Sequence, residues 1–319
     1  MKSIIAAISF PLLATNAFAG GVTLPVNPTQ PLALESEITS ANSAITALQG
    51  QVTTLQQQVT ALQNGGVCAN TTFCDSFATL DVGQHMDTTH KWTYVKWYGP
   101  PNWDGEGVNS GWMVNPLYSG TQINGLYGIG SSGLQMSIAN AGSCTTACGN
   151  LPYVSSALVA SNFKVTPNSY TEFTAKFPNV PGSAWALWLM GDGTNGHYQE
   201  LDLVEAVQAA SGSWTGAFQT VHYDGGSQDQ YTAWAPGFSI TAQHTYGVDW
   251  RTGGNICFYI DRAQTMCKPT PSYYTGPMYL LLSSEDGDHD WTGGGIPSTA
   301  TLPAAMTVQN VRVWGVRPF

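Results

Sequence analysis

The sequence predicts an all-β protein, two antiparallel sheets packed as a β-sandwich of jelly-roll type, with an N-terminal coiled-coil helix in front of it. Three observations carry this. From about Phe73 onward, short runs rich in Val, Tyr, Phe, Trp and Thr are separated by Gly, Pro, Asn and Asp, which is strand-and-turn punctuation. No long helical period interrupts them. Before them, apolar residues recur at alternating spacings of three and four.

Taken in order, the first residues have the form of a signal peptide. Lys2 is the positive start, residues 4–13 are a short apolar run, and Ala17-Phe18-Ala19 is a small-x-small cleavage site. The run is too short for a membrane span. Residues 1–19 are therefore expected to direct export, to the periplasm or the exterior, and 20–33 read as a linker. In 34–64 the residues Ile38, Ala41, Ile45, Leu48, Val52, Leu55, Val59 and Leu62 form a heptad seam, closed by Asn64-Gly65-Gly66. The seam predicts a homo-oligomer, dimer or trimer; a helix folded onto the globular part is the plainer alternative.

The predicted strands are 133–138, 170–177, 184–190, 219–223, 245–250, 256–260, 278–282 and 306–314. Packed sheets of this kind curve, and the hollow face makes a groove long enough for a polymer. The domain from 67 to 319 is thus expected to hold the function.

Composition narrows the class. Hydrophobic residues make up 43% of the 319, charged residues 9%, and the net charge is -10. So few basic residues, spread along the chain, exclude a nucleic-acid surface. Six cysteines suit an oxidising compartment. They fall as near neighbours, Cys68 with Cys74, Cys144 with Cys148 and Cys257 with Cys267, and that pairing is expected, although six cysteines allow others. The rival, a zinc site, lacks Cys-x-x-Cys and a suitably spaced His.

One run carries chemistry: Glu200-Leu201-Asp202-Leu203-Val204-Glu205. Side chains alternate along a strand, so Glu200 and Asp202 share a face and Leu201 and Leu203 take the other. Simple alternation would bury Glu205, at a cost. A one-residue β-bulge between Asp202 and Glu205 returns it to the face of the other acids. Three close carboxyls cannot all ionise cheaply, and one ionised and one protonated carboxyl is what retaining glycoside hydrolysis requires. A solvated acidic edge is the bland reading, and it fits poorly beside Trp185, Trp188 and His222 in a chain so poor in charge.

The run, preceded by Trp185-Ala186-Leu187-Trp188-Leu189-Met190, resembles the active-site block of glycoside hydrolase family 16 in its bulged form, as in laminarinases and bacterial exopolysaccharide depolymerases. The resemblance spans roughly Phe73 to Trp314. Leu151-Pro152-Tyr153 and Tyr170-Thr171-Glu172-Phe173 precede the block in family order; Thr220-Val221-His222-Tyr223, His244-Thr245-Tyr246-Gly247-Val248-Asp249-Trp250, Phe258-Tyr259-Ile260-Asp261, Pro277-Met278-Tyr279 and Val311-Arg312-Val313 follow it.

The resemblance implies a concanavalin-like sandwich and a secreted endo-acting hydrolase of a β-linked polysaccharide. In it Glu200 is the nucleophile, Glu205 the acid and then base, and Asp202 the tuner of their protonation. Trp188, Trp185 and His222 would meet sugar, with Trp103, Trp112 and Trp291 as weaker groove candidates. No cofactor is required and no catalytic metal is expected; a structural calcium ion stays open. A transglycosylase, a non-catalytic carbohydrate-binding protein and an assembly protein built on the heptad are the alternatives. Two stretches depart from the family pattern: the loop containing Tyr98-Gly99-Pro100-Pro101-Asn102-Trp103, and Ser283-Ser284-Glu285-Asp286-Gly287-Asp288-His289-Asp290-Trp291, expected to be a loop at one end of the groove.

Overall fold

The structure, a computed structural model, describes residues 39, 41–46, 48–49, 52, 68–83, 87–94, 105–108, 111–115, 125–142, 148–213, 215–233, 238–286 and 292–319. The chain divides into two compact units, 1–59 and 60–319. In the first, the described residues are helical, and Ile45, Leu48 and Val52 of the heptad are exposed. The rest of 34–64, the signal segment and the linker lie outside the described residues. Among the described residues, no helix is long and apolar enough to cross a membrane.

The described part of the second unit is built of strands, with one short 3-10 turn at Asp224–Gly226. Its strands are β1 (Phe73–Asp75), β2 (Val82–Gly83), β3 (Trp92–Tyr94), β4 (Gly105–Val108), β5 (Gly111–Val114), β6 (Tyr127–Gly130), β7 (Gly133–Asn140), β8 (Tyr153–Ser155), β9 (Ala157–Ala160), β10 (Ser169–Lys176), β11 (Ser183–Gly191), β12 (Glu200–Gln208), β13 (Thr215–His222), β14 (Gln228–Ala233), β15 (His244–Trp250), β16 (Asn255–Ile260), β17 (Ala263–Pro269), β18 (Met278–Asp286) and β19 (Ala304–Trp314). One sheet runs β14-β13-β12-β11-β18-β9-β3-β2. The other runs β17-β16-β15-β10-β19-β7-β8-β5-β4, with β1 beside β19 and β6 beside β7. Pairing is antiparallel except for β2 with β3 and β5 with β8, two parallel contacts near sheet edges that the sequence reading did not contain.

The core lies between the sheets. Leu187, Leu189, Leu201, Leu203 and Val204 of one sheet meet Phe173, Val248, Phe258 and Val311 of the other, all buried in one cluster. This burial is the main stabilising term, and it dictates which way each central strand faces. Cys68 is bonded to Cys74, and Cys257 to Cys267 across the β16–β17 pair. Cys148 is disulfide-bonded too, while Cys144 lies outside the described residues.

Two expectations need correction. Trp185 was a groove candidate, but it points between the sheets, 1% exposed, with its Nε1 donating to Ser183 Oγ at 2.8 Å. Alternation along β11 puts Trp185 with Leu187 and Leu189, opposite to Trp188. The altered stretch after Leu282 does not start as a loop: Ser283, Ser284, Glu285 and Asp286 continue β18 against Ser183–Ala186.

Candidate active site

On β12 the register slips as the alternation argument requires. Asp202 pairs with Thr220 and Glu205 with Phe218, so Leu203 and Val204 face the single residue Gln219. On the other side Trp188 pairs with Asp202 and Leu187 with Val204, which leaves Leu203 as the extra residue. Three cross-strand rows result on the face turned away from the core. Met190, Glu200 and His222 form one, Trp188, Asp202 and Thr220 the next, and Ala186, Glu205 and Phe218 the third.

A bulge leaves backbone groups without ladder partners. Here the buried Gln219 supplies one. Its Nε2 donates to Leu203 O at 2.9 Å and to Tyr259 O of the opposite sheet at 3.1 Å. Tyr259 borders a second bulge, where Thr265 is the extra residue, and Thr265 Oγ1 donates to Gln219 Oε1 at 2.5 Å. One side chain therefore secures an irregularity in each sheet.

The start of β12 is held from the core. The Glu200 N–H donates to the Tyr274 hydroxyl at 2.9 Å, and that hydroxyl also lies against the carbonyls of Glu200 and His222. Tyr274 is fully buried, so the row carrying Glu200 and His222 is tied to a rigid point.

The polar contacts are dense. His222 Nε2 lies 2.9 Å from Asp202 Oδ2 and 3.4 Å from Glu200 Oε1. The Tyr198 hydroxyl donates to Glu200 Oε2. Thr220 Oγ1 donates to Glu205 Oε2 at 3.3 Å, and Trp188 Nε1 to Ser283 Oγ at 3.2 Å. A cavity of about 400 Å³ opens beside the Glu200 end, lined by residues 190–193 and 196–199.

All three carboxyls are pushed up from their ordinary values. For Glu200 the cause is burial, which the Tyr198 hydrogen bond and the positive influence of His222 oppose. Asp202 is driven well up by burial and then by Glu200. Glu205 is driven well up by burial and then by Asp202. Glu200 is thus the carboxyl best provided for as an anion, while Asp202 and Glu205 are both placed to keep a proton. Ligand atoms of Glu200, Asp202 and His222 lie within 4.8 Å of one another, a spacing that would also admit a cation.

Of the sequence candidates, the structure brings together Glu200, Asp202, Glu205, Trp188 and His222. It separates Trp112, which sits on β5 against the small cluster of Val114, Leu126 and Val154. Trp103 and Trp291 lie outside the described residues. Sequence reasoning missed Tyr198, Thr220, Gln219, Tyr274 and Glu285. Glu285 was legible: it alternates with Tyr279, Leu281 and Ser283 along β18, and so shares their face.

The fold matches solved structures of low sequence identity. A non-specific endo-β-1,3(4)-glucanase called SCLam, crystallised with 1,3-β-D-cellotriosyl-glucose, is 21% identical, with a TM-score of 0.61 over 76% of this chain and 93% of its own. LamA from Z. galactanivorans, in complex with laminaritriose and laminaritetraose, is 20% identical, with a TM-score of 0.59 over 77% and 99%. An endo-β-1,3-glucanase from Pyrococcus furiosus is 20% identical, with a TM-score of 0.57 over 76% and 93%. No curated protein matches the chain in sequence. The model of glycosyl hydrolases family 16 matches residues 122–301, more than half of the chain and all of the acidic strand. With that match over a sandwich whose bulged strand lines up three carboxyls, the chain belongs to glycosyl hydrolases family 16.

Proposed function

We propose that this glycoside hydrolase cuts a β-glucan internally, by double displacement with retained anomeric configuration. The observation that carries the reading is the bulge at Leu203, which sets Glu200 and Glu205 on one face with Asp202 between them. Two carboxyls held apart in protonation are what the two half-reactions need.

In the first, Glu200 attacks the anomeric carbon while Glu205 gives its proton to the departing glycosidic oxygen. In the second, Glu205 takes a proton from water, and the water oxygen displaces Glu200. Asp202, hydrogen-bonded to His222, lies between the two and passes the influence of one charge state to the other. Trp188 offers a ring beside Asp202 on which a sugar can stack. The β-glucan assignment is supported by the ligands and names of the solved glucanases that share the fold.

The test is Glu200→Gln beside wild type, assayed on a panel of β-1,3- and β-1,4-linked glucans and of galactans by release of reducing ends. Hydrolysis should be lost while the melting temperature is kept, and proton NMR of early wild-type products should show the β-anomer. An active Gln variant, or inverted product, would refute the mechanism; activity confined to galactans would refute the substrate.

A further inference from the structure

Tyr198 is the one neutral donor that reaches the carboxyl assigned as nucleophile among the described residues, and its surroundings hold it there. It precedes β12 by two residues, in the turn from β11. Its backbone N–H donates to Asp224 Oδ1 at 2.8 Å, and the other oxygen of Asp224 meets His197 Nδ1 at 2.5 Å. The Asp224 N–H donates to the Tyr273 hydroxyl at 3.0 Å, and the His197 ring stacks on Tyr273 with centroids 4.9 Å apart. Asn195 Nδ2 donates to Tyr273 O at 2.7 Å. The turn is thus clamped to the β13–β14 connection and to the segment before β18. All of these residues lie outside the strands of the two sheets.

We propose that Tyr198 is a catalytic residue, donating a hydrogen bond to Glu200 Oε2 through both half-reactions and leaving Oε1 to form the glycosyl bond. This rests on the reading of Glu200 as nucleophile.

The atoms balance without another reagent. As Oε1 bonds to the anomeric carbon, the glycosidic bond breaks and its oxygen takes the Glu205 proton. As water adds, the carbon–Oε1 bond returns its electron pair to Glu200. Negative charge reappears on the carboxylate in that second step, and a hydrogen bond to a charged acceptor is then at its strongest. A neutral phenol suits this role. Desolvation of its hydroxyl and the bond to Glu200 push its ionisation far above the ordinary value, so it remains a donor across the working range.

The other titratable groups around the Glu200 carboxyl are Asp202 and Glu205 on its own strand, His222 on β13, Glu285 on β18 and the Tyr274 hydroxyl, whose ionisation is pushed far up by burial. His197 and Asp224 face Tyr198 from the clamp. Of these, His222 is divided between Asp202 and Glu200, whereas Tyr198 serves Glu200 alone.

Tyr198→Phe isolates the hydroxyl. The side chain is 45% exposed, so the ring can stay without disturbing the fold. Loss of a hydrogen bond to a charged group should lower kcat/KM about 10- to 100-fold. The acidic limb of its pH profile should move to higher pH, because Glu200 loses a bond that favours its anion. Melting temperature and retained stereochemistry should not change. Asp224→Ala, which frees the turn and keeps the hydroxyl, should move the same limb in the same direction by less. A Tyr198→Phe enzyme with wild-type rate and an unmoved acidic limb overturns the proposal. If Glu200→Gln is itself active, the nucleophile assignment fails instead, so the two failures are distinguishable.

Discussion

Replacing Gln219 by Leu tests whether the bulge is secured by one side chain. Leucine matches the branching volume and suits the core, so packing changes little. What disappears is the pair of hydrogen bonds to Leu203 O and Tyr259 O and the acceptor for Thr265 Oγ1. Each buried polar atom left without a partner costs about 1–3 kcal/mol. Three such atoms that relax in part should together cost about 3–5 kcal/mol. For a domain of this size that lowers Tm by about 10 °C. The second effect is on chemistry. With Leu203 O unsatisfied, the bulge can shift along β12, and a displacement of about 1 Å at Glu205 would cost on the order of 100-fold in kcat. Thermal unfolding and kcat on a soluble glucan measure the two effects. Thr265→Val, which removes only the hydroxyl, should cost about 1 kcal/mol and leave kcat nearly intact. A Leu variant with Tm within about 2 °C of wild type and unchanged kcat would show that the backbone alone holds the bulge.

Asp202→Asn should trade activity for stability, with a definite pH dependence. The folded state binds the Asp202 proton more tightly than the unfolded chain does, since burial and Glu200 raise it well above 3.8. The stability from that proton is complete below the unfolded value and is lost as pH rises through the folded one. Asparagine cannot ionise, so the variant should match wild type near about pH 3.5 and unfold at higher temperature than wild type near neutrality. A Tm difference that fails to grow with pH would contradict this, as would an undiminished kcat. Trp188→Ala should raise KM about tenfold through lost stacking, with kcat less affected; Trp185→Ala, in the core, should instead lower Tm, and a reversal of these two results would overturn the assignment of faces.

The strand pattern carried the fold because burial acts residue by residue with period two. Runs such as 184–190 and 306–314 lie within β11 and β19 for that reason. The bulge was legible from one residue too many between Asp202 and Glu205 when only one face can hold charge. Trp185 was misplaced although alternation along β11 sets it with Leu187 and Leu189, opposite to Trp188; with one tryptophan on each face composition gave no contrast, and the register of β11 against β12 shows that Trp188 is the one beside the acids. Ser283–Asp286 read as a loop because a strand ending in Ser-Ser-Glu-Asp has no apolar alternation. In the fold these residues pair with β11, which supplies the order that their own composition lacks. Tyr198 and Gln219 were out of reach for another reason. Glu200 is only two residues from Tyr198, but the contacts that hold the two side chains in place, to Asp224 and Tyr259, are distant in sequence, and no local pattern encodes a contact of that range.

The proposed double displacement asks two identical side chains five residues apart on one strand to behave differently, and their surroundings differ. Asp202 stands between them and raises Glu205, and the contacts at the two ends of the row differ further. At one end, Glu200 receives the Tyr198 hydroxyl and the nearer approach of His222. At the other, Glu205 has the Thr220 hydroxyl and meets the negative influence of Asp202, Glu200 and Glu285. Glu285 acts on both glutamates and His222 on both, so neither alone separates them. Each glutamate has a hydroxyl of its own, Thr220 for Glu205 and Tyr198 for Glu200, and of the two only Tyr198 lies on a clamped turn outside the sheets. In the proposed double displacement the division of labour between the glutamates would then depend on a segment between β11 and β12, where variation can tune the reaction without touching the strand that carries the acids.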